Sequence, residues 1–477
     1  MYLVRETLLT KVDNVTCGER FISISLVLRS RFMTPWSPGS WRSKPAAHQP
    51  SYASQPDLKR AVDQLANLPP LVTAWEVELL KGQLAEAAHR KRFLLQGGDC
   101  AEQFEDCTAD TITSKRKILL QMSLILVHGS HQPVIRVGRF AGQYAKPRSE
   151  EFETREAASL TSYRGDLVNR KGFTEADRAP DPQLLLRAYE RSALTLNFIR
   201  ALVKGGFADL HHPEYWDMDF AQHSPLADEY HARAHRVVES LQFMENIVGA
   251  GAGEVHWVDF FTSHEGLHLS YEEAQTRGGP GGHGWYNLST HFPWIGMRTA
   301  GAKAAHVEYF RGIANPIGVK IGPNMTPPVL RELLDRLHPN DEPGRLTLIH
   351  RFGHARIGEC LPALIETVRS AGKTVLWCCD PMHGNTRYTA DGIKTRHFDE
   401  ILGELEQAFA IHQSHGSHLG GVHFELTGED VTECLGGARN LNDRDLKRAY
   451  RSEIDPRLNY EQSLEMSLLI ARMLGQR

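Results

Sequence analysis

The residues best able to do chemistry recur at one kind of place, the end of a short apolar run. Cys100, Arg139, His264 with Glu265, Arg298, Lys320, Arg351, His383 and Glu425 each stand at or just past the end of such a run, and Asp455 lies in the loop beyond the last. Thiol, imidazole and carboxylate groups are metal-ligand and proton-transfer types. Guanidinium and ammonium groups bind carboxylates and phosphates, Arg as a planar fork and Lys as a point charge. No local spacing gathers these residues. They converge only if the runs before them lie in one sheet and point the same way. Any single one could instead be a solvated strand edge or a surface ion pair of little worth. The recurrence after all eight runs argues against that for the group.

The runs are Phe93–Gln96, Val134–Val137, Val255–Phe261, Phe292–Ile295, Ile317–Ile321, Leu346–Ile349, Val375–Trp377 and Val422–Phe424. Between most of them lie segments with helical spacing: Lys115–Val127, Val329–Leu337, Leu361–Ser370 and Phe398–His412. Strands alternating with helices imply a parallel sheet. Eight units predict an α/β protein of the (β/α)8 TIM-barrel kind, with its chemistry at the carboxyl ends of the strands. Upstream, Trp75–Lys91 predicts an amphipathic helix. Pro45, Pro50, Pro56, Pro69 and Pro70 predict that Met33–Pro70 is an extended arm with a short turn or two. After the second run, Asp181–Gly205 reads as a long helix with Asp181 as cap and Pro182 in the first turn, and Arg233–Ile247 as a second. The layout is then a leader over 1–32, an amino-terminal extension with one helix over 33–91, and a barrel over 92–477 with a helical insertion around 181–247.

Composition sets limits. The 477 residues are 41% hydrophobic and 23% charged, with 54 Lys and Arg against 58 Asp and Glu, a formal net charge of −4. That is ordinary for a folded chain and lacks the basic excess of a nucleic-acid binder. No run approaches the ~18 apolar residues of a membrane span. Seven Cys, odd in number and sparse, do not resemble a disulfide framework and suit a reducing compartment. The leader lacks the order of a secretory signal. It reads as a disordered segment or as one that precedes a start at Met33, with an organelle transit segment as the alternative.

Several longer segments carry a family resemblance. They are Leu95-Gln96-Gly97-Gly98-Asp99-Cys100-Ala101-Glu102, Gly142-Gln143-Tyr144-Ala145-Lys146-Pro147-Arg148-Ser149, Tyr163-Arg164-Gly165-Asp166, Asn315-Pro316-Ile317-Gly318-Val319-Lys320-Ile321-Gly322-Pro323, Asp380-Pro381-Met382-His383-Gly384-Asn385-Thr386, Val431-Thr432-Glu433-Cys434-Leu435-Gly436-Gly437 and Asp455-Pro456-Arg457-Leu458-Asn459. From Trp36 onward the chain resembles the type II (plant-like) 3-deoxy-D-arabino-heptulosonate 7-phosphate (DAHP) synthases. The resemblance implies a transferase that condenses phosphoenolpyruvate with erythrose 4-phosphate and releases phosphate, opening the shikimate pathway to chorismate and the aromatic amino acids.

It also implies residue roles. Cys100, His383, Glu425 and Asp455 match the family's metal ligands, a donor set suited to Mn2+ first and to Co2+, Fe2+ or Zn2+. Arg139, Met297, Arg298, Lys320 and Arg351 match the phosphoenolpyruvate site. Lys146, Arg148 and Ser149 match the erythrose 4-phosphate site. The water that adds to phosphoenolpyruvate could be positioned by His264 or Glu265 and a proton delivered by Lys320, which makes Lys320, His383 and Glu265 the expected catalytic residues. Partners would be small phosphorylated substrates, further copies in a homodimer or homotetramer, and in some relatives a chorismate mutase. The default location is the cytoplasm, or a plastid or other organelle if 1–32 is a transit segment.

One stretch departs from the family. Where it usually reads Trp-Ile-Gly-acidic-Arg-Thr-Arg-Gln, this chain reads Trp294-Ile295-Gly296-Met297-Arg298-Thr299-Ala300-Gly301, with Lys303 in place of an Asp further on. The binding Arg298 is kept while a neighbouring carboxylate and guanidinium are lost. Alternatives to an ordinary synthase are an amino-DAHP-type or other secondary-metabolism synthase, and a catalytically weak regulatory paralogue.

Overall fold

The alternating apolar runs form eight strands: β1 Phe93–Gly98, β2 Val134–Arg139, β3 Phe261–Thr262, β4 Trp294–Ile295, β5 Ile317–Ile321, β6 Leu346–His350, β7 Leu376–Cys379 and β8 Leu419–Glu425. The computed structural model describes residues 35–155, 158–204, 228 and 259–475. The chain separates into two units, Met1–Ser37 and Pro38–Arg477, and all eight strands belong to the second. Every neighbouring pair is parallel, in the order β3-β2-β1-β8-β7-β6-β5-β4. The two ends of that order meet. Phe292 N–H donates to the Thr262 carbonyl (3.1 Å), Trp294 N–H to that of His264 (3.1 Å) and Gly266 N–H to that of Trp294 (3.0 Å), and Glu265 forms a parallel bridge with Trp294. These bonds close the sheet into a barrel, so no edge is left to pair elsewhere.

The extension is more helical than its prolines suggest. A 13-residue helix, α1 Gln55–Asn67, occupies the arm expected to be extended, and a 3-10 turn covers Ser40–Ser43. Pro56 lies in the first turn, where no helical hydrogen bond is lost, and the Ser54 side chain accepts from Asp57 N–H at 3.3 Å. Ala61 and Leu65 are the buried stripe. The extension thus holds two α-helices rather than one. The second, α2 Ala74–Ala88, starts on a capping box: Thr73 Oγ1 accepts from Glu76 N–H (3.2 Å) and Glu76 Oε2 from Thr73 N–H (2.8 Å).

Helix α2 plugs one end of the barrel. Its Leu80, Leu84 and Ala87 cluster with Leu94, Ile135, Val137, Trp294, Ile349, Leu376 and Cys378. A Cβ on Gly344, just before β6, would come within 2.0 Å of the Lys81 carbonyl oxygen. The plug therefore sits at the strands' amino ends and leaves the carboxyl ends for chemistry.

Around the sheet lie α3 Ala109–Ser130, α4 Gln183–Lys204, α5 Pro327–Leu337, α6 Ile357–Ser370, α7 Phe398–Ser414 and α8 Tyr460–Gly475. Asp181 caps as expected, its Oδ1 accepting from Gln183 N–H at 3.0 Å. Helices α1 and α4 share an apolar cluster with Ala141, Tyr144 and Ala145, so the extension backs the loop after β2. The leader, the helix predicted over Arg233–Ile247 and the first four residues of the third run lie outside the described residues.

Candidate active site

Strand register puts the first charges at one level. Gly98, the last residue of β1, pairs with Arg139 of β2 on one side and Glu425 of β8 on the other. Gly98 has φ +143°, and a Cβ there would meet the Arg139 backbone at 3.0 Å, so the chain turns there only as glycine. Cys100 follows, buried, with Sγ 3.6 Å from Asp455 Oδ2. Donor atoms of Cys100, Glu425 and Asp455 all lie within 4.8 Å of one another. His383, in the loop after β7, brings Nε2 to 3.0 Å from Glu425 Oε1, and its Nδ1 is 2.8 Å from Asp380 Oδ2. The four predicted ligands therefore converge although 355 positions separate Cys100 from Asp455. A thiol, an imidazole fixed by an outer carboxylate and two carboxylates fit a borderline transition-metal ion.

Cations surround this donor set. Lys146 Nζ is 2.7 Å from Cys100 Sγ and 2.9 Å from Glu425 Oε1, and it also bonds Asp455. Arg139 Nη2 donates to Glu425 Oε1 (3.1 Å), and its Nη1 lies 2.9 Å from His423 Nε2. Arg396 Nη1 pairs with Glu425 Oε2 at 2.8 Å. Burial pushes the Glu425 carboxyl upward, but His383, Lys146, Arg396 and Arg139 hold it well below the usual range. Burial, seconded by Glu425, pushes the Cys100 thiol up to about 12. Burial likewise lowers His383, against Asp380 and Glu425.

A pocket beside the donor set is lined by Arg139, Lys146, Glu265, Met297, Arg298, Lys320, Arg351 and His383, among others. All five residues expected to hold phosphoenolpyruvate thus share one pocket. Lys320, on β5, is ion-paired with Asp380; burial lowers its ammonium to about 8. Arg351 Nη2 donates to the His383 carbonyl (2.6 Å), and its Nη1 lies 3.8 Å from Met297 Sδ. Glu265, its carboxyl raised by burial to about 6, lies against Gly296, where a Cβ would come within 2.0 Å of Oε1. His264 does not enter the pocket lining. Its Nε2 is 2.9 Å from Glu272 Oε1, a carboxylate that also accepts from Asn287 and Ser289.

The Lys146-Pro147-Arg148-Ser149 turn is placed by an acid the motif analysis did not single out. Glu102 accepts from the N–H groups of Ala141 (3.0 Å), Gly142 (3.0 Å) and Gln143 (2.9 Å), folding the loop after β2. Ser149 Oγ accepts from Arg298 Nη2 at 2.8 Å. Arg148 and Lys146 line a second, smaller pocket with His48 and Arg164.

Sequence reasoning missed Asp380, Arg396 and His423 as individuals. Asp380 stood inside a quoted motif. His423 lies two residues before Glu425, so strand alternation puts both on one face. Arg396 follows the short hairpin of Arg387–Tyr388 with Lys394–Thr395, which no apolar run marks.

A closed parallel barrel whose carboxyl mouth gathers anion-binding cations beside a mixed-donor cluster defines a barrel enzyme for phosphorylated substrates. The sequence model of the class-II DAHP synthetase family matches residues 36–471, and the chain belongs to that family. It is 48% identical to phospho-2-dehydro-3-deoxyheptonate aldolase of Neurospora crassa over 452 residues, covering 91% of this chain and 94% of that protein. It is 46% identical to the protein of the same name from Streptomyces coelicolor, covering 92% and 98%. A third relative, phospho-2-dehydro-3-deoxyheptonate aldolase AroG of Mycolicibacterium smegmatis, is 45% identical, covering 91% and 93%. A solved structure of phospho-2-dehydro-3-deoxyheptonate aldolase from Francisella tularensis SCHU S4 aligns with a TM-score of 0.49 at 14% identity, over 87% of this chain and 97% of that one. No described helix is long and apolar enough to cross a membrane.

Proposed function

We propose that this chain condenses phosphoenolpyruvate with D-erythrose 4-phosphate and releases phosphate, the opening step of the shikimate pathway. The observation that carries the reading is the pocket in which Arg139, Arg298, Lys320 and Arg351 stand beside the Cys100, His383, Glu425 and Asp455 donors. The names of the curated relatives agree with it.

Cys100, His383, Glu425 and Asp455 would hold the divalent ion, Mn2+ first and Co2+, Fe2+ or Zn2+ next, and the ion would supply Lewis-acid polarisation of the aldehyde. Arg139, Arg298, Lys320 and Arg351 hold the carboxylate and phosphate of the enol substrate, with Met297 as an apolar wall. This fixes C3 for attack on the aldehyde carbon. As the new C–C bond forms, positive charge develops at C2. Glu265 accepts a proton from the water that adds there. Lys320 gives a proton to the oxygen that began as the aldehyde. The C2–O bond to phosphate then breaks as the C2 hydroxyl becomes the ketone; its proton passes to the leaving phosphate, and the same cations stabilise the departing hydrogenphosphate dianion. Lys146, Arg148 and Ser149 hold the aldose phosphate.

The reading includes the layout of leader 1–32, extension 33–91 and barrel 92–477, a homodimer or homotetramer, and docking of a chorismate mutase. Light scattering with and without that enzyme tests the last two. It also includes a cytoplasmic setting, which the six free cysteines among the described residues support. The main test is phosphate release from the two substrates by purified protein, first chelated and then given Mn2+ or Co2+. Turnover restored by metal is the expected result. No turnover from protein that still binds metal would overturn it.

A further inference from the structure

A second cluster of ligand-type side chains lies outside the pocket, between the barrel and its helices. His350 is the last residue of β6 and Cys379 the last of β7, and they are register partners. Their neighbours Ile349 and Cys378 sit in the interior cluster, so alternation turns His350 and Cys379 outward toward the helices. There they meet Glu404 of α7. One donor atom from each of the three lies within 4.8 Å of the others, the same proximity that unites Cys100, Glu425 and Asp455, and all three residues are fully buried.

The imidazole is the telling group. Neither nitrogen of His350 has a hydrogen-bond partner, although the residue is 0% exposed. Its ring lies over Phe352 (centroids 5.8 Å apart) and near His412 (5.7 Å). A buried polar group left unpaired is costly and asks for an unseen partner. Glu404 is differently placed. Its oxygens accept from Phe352 N–H and Asn385 Nδ2, both at 2.8 Å, which aims the carboxylate and leaves lone pairs on each oxygen.

We propose that His350, Cys379 and Glu404 form a second metal site, which takes a borderline divalent ion such as Zn2+ or Co2+. A nitrogen, a sulfur and an oxygen donor select d-block ions over Mg2+ or Ca2+. Burial raises the Cys379 thiol well above its ordinary range and the Glu404 carboxyl to about 7, so near neutral pH the thiol carries a proton to release and the carboxyl is partly protonated. On ligation both release their protons to solvent, and thiolate plus carboxylate then balance the charge of the ion. The site would tie α7 to β6 and β7 one residue before Arg351 and Asp380, and so fix the strand ends that bear on the pocket.

The probe is Co2+, supplied during expression of the full chain because the site is buried. Metal per chain is counted by elemental analysis, and the cobalt–thiolate charge-transfer band is recorded. In Cys100→Ala the band persists, and in Cys100→Ala/Cys379→Ala it is gone. His350→Phe, which keeps the stacking on Phe352, lowers the wild-type count by one equivalent. A band lost completely in Cys100→Ala, or a count unchanged by His350→Phe, overturns the second site and leaves the first untouched. A band indifferent to Cys100→Ala but lost in Cys379→Ala supports the second site while removing the thiolate from the first.

Discussion

Lys146 holds an ammonium among three acidic donors, at 2.7 Å from Cys100 Sγ and 2.9 Å from Glu425 Oε1. A divalent ion and this ammonium compete for the same lone pairs, so Lys146→Met is expected to tighten Mn2+ binding. Losing charge-assisted contacts of about 1.5–3 kcal/mol corresponds to roughly tenfold or more in affinity. The same variant should raise KM for the aldose phosphate. Calorimetric titration with Mn2+ checks the first effect, and equal or weaker binding would sink it. Glu265 and Lys320 predict a pH profile. Glu265, raised to about 6, must be ionised to accept a proton, so kcat/KM rises as pH passes about 6. Lys320, lowered to about 8, must be protonated to donate, so kcat/KM falls as pH passes about 8. Glu265→Gln should remove the acid limb and leave the alkaline one; retention of both limbs would clear Glu265 of the role. At this scale much was legible, because charge after an apolar run is visible in one dimension. That Glu265 lines the pocket while His264 does not turns on Glu272 taking the imidazole, a contact no local pattern announces.

Elements were legible where one period dominates. The strand that reads Ile317–Ile321 forms over those same residues, and Phe398–His412 is extended by two residues to Ser414. β3 and β4 are only two residues each in the ladder, yet the bridge of Glu265 with Trp294 carries on their pairing. The failure at α1 has a physical cause: one proline at a helix start and several in loops look alike until the cap is recognised. A second feature had no local signal, namely that α2 seals the barrel floor, because floor and wall are both simply apolar in sequence. Leu84 is fully buried there. Leu84→Ala should cost about 2–5 kcal/mol of stability, as buried Leu truncations do. Denaturant unfolding checks it. A loss below about 1 kcal/mol would mean that the floor collapses around the gap or contributes little.

Across the whole molecule the donor set is a long-range constraint. Cys100 follows β1, His383 follows β7, Glu425 ends β8, and Asp455 lies beyond it. No shorter piece of the chain brings them together, which is why spacing alone could not reveal them and resemblance over long segments could. An ion held by all four binds the closed barrel and not the unfolded chain. Its binding energy is therefore added to folding stability. At a free ion concentration about 100-fold above Kd the gain is ~2.7 kcal/mol. For a chain of this size that should move the thermal midpoint up by a few degrees. Differential scanning calorimetry of chelated protein against protein with excess Mn2+ measures the shift. Asp455→Asn, which keeps the side-chain shape and removes a negative donor that Lys146 and Lys394 already neutralise in part, should shrink the increment without unfolding the protein. An increment equal in wild type and variant would mean that the stabilising ion does not sit on Asp455.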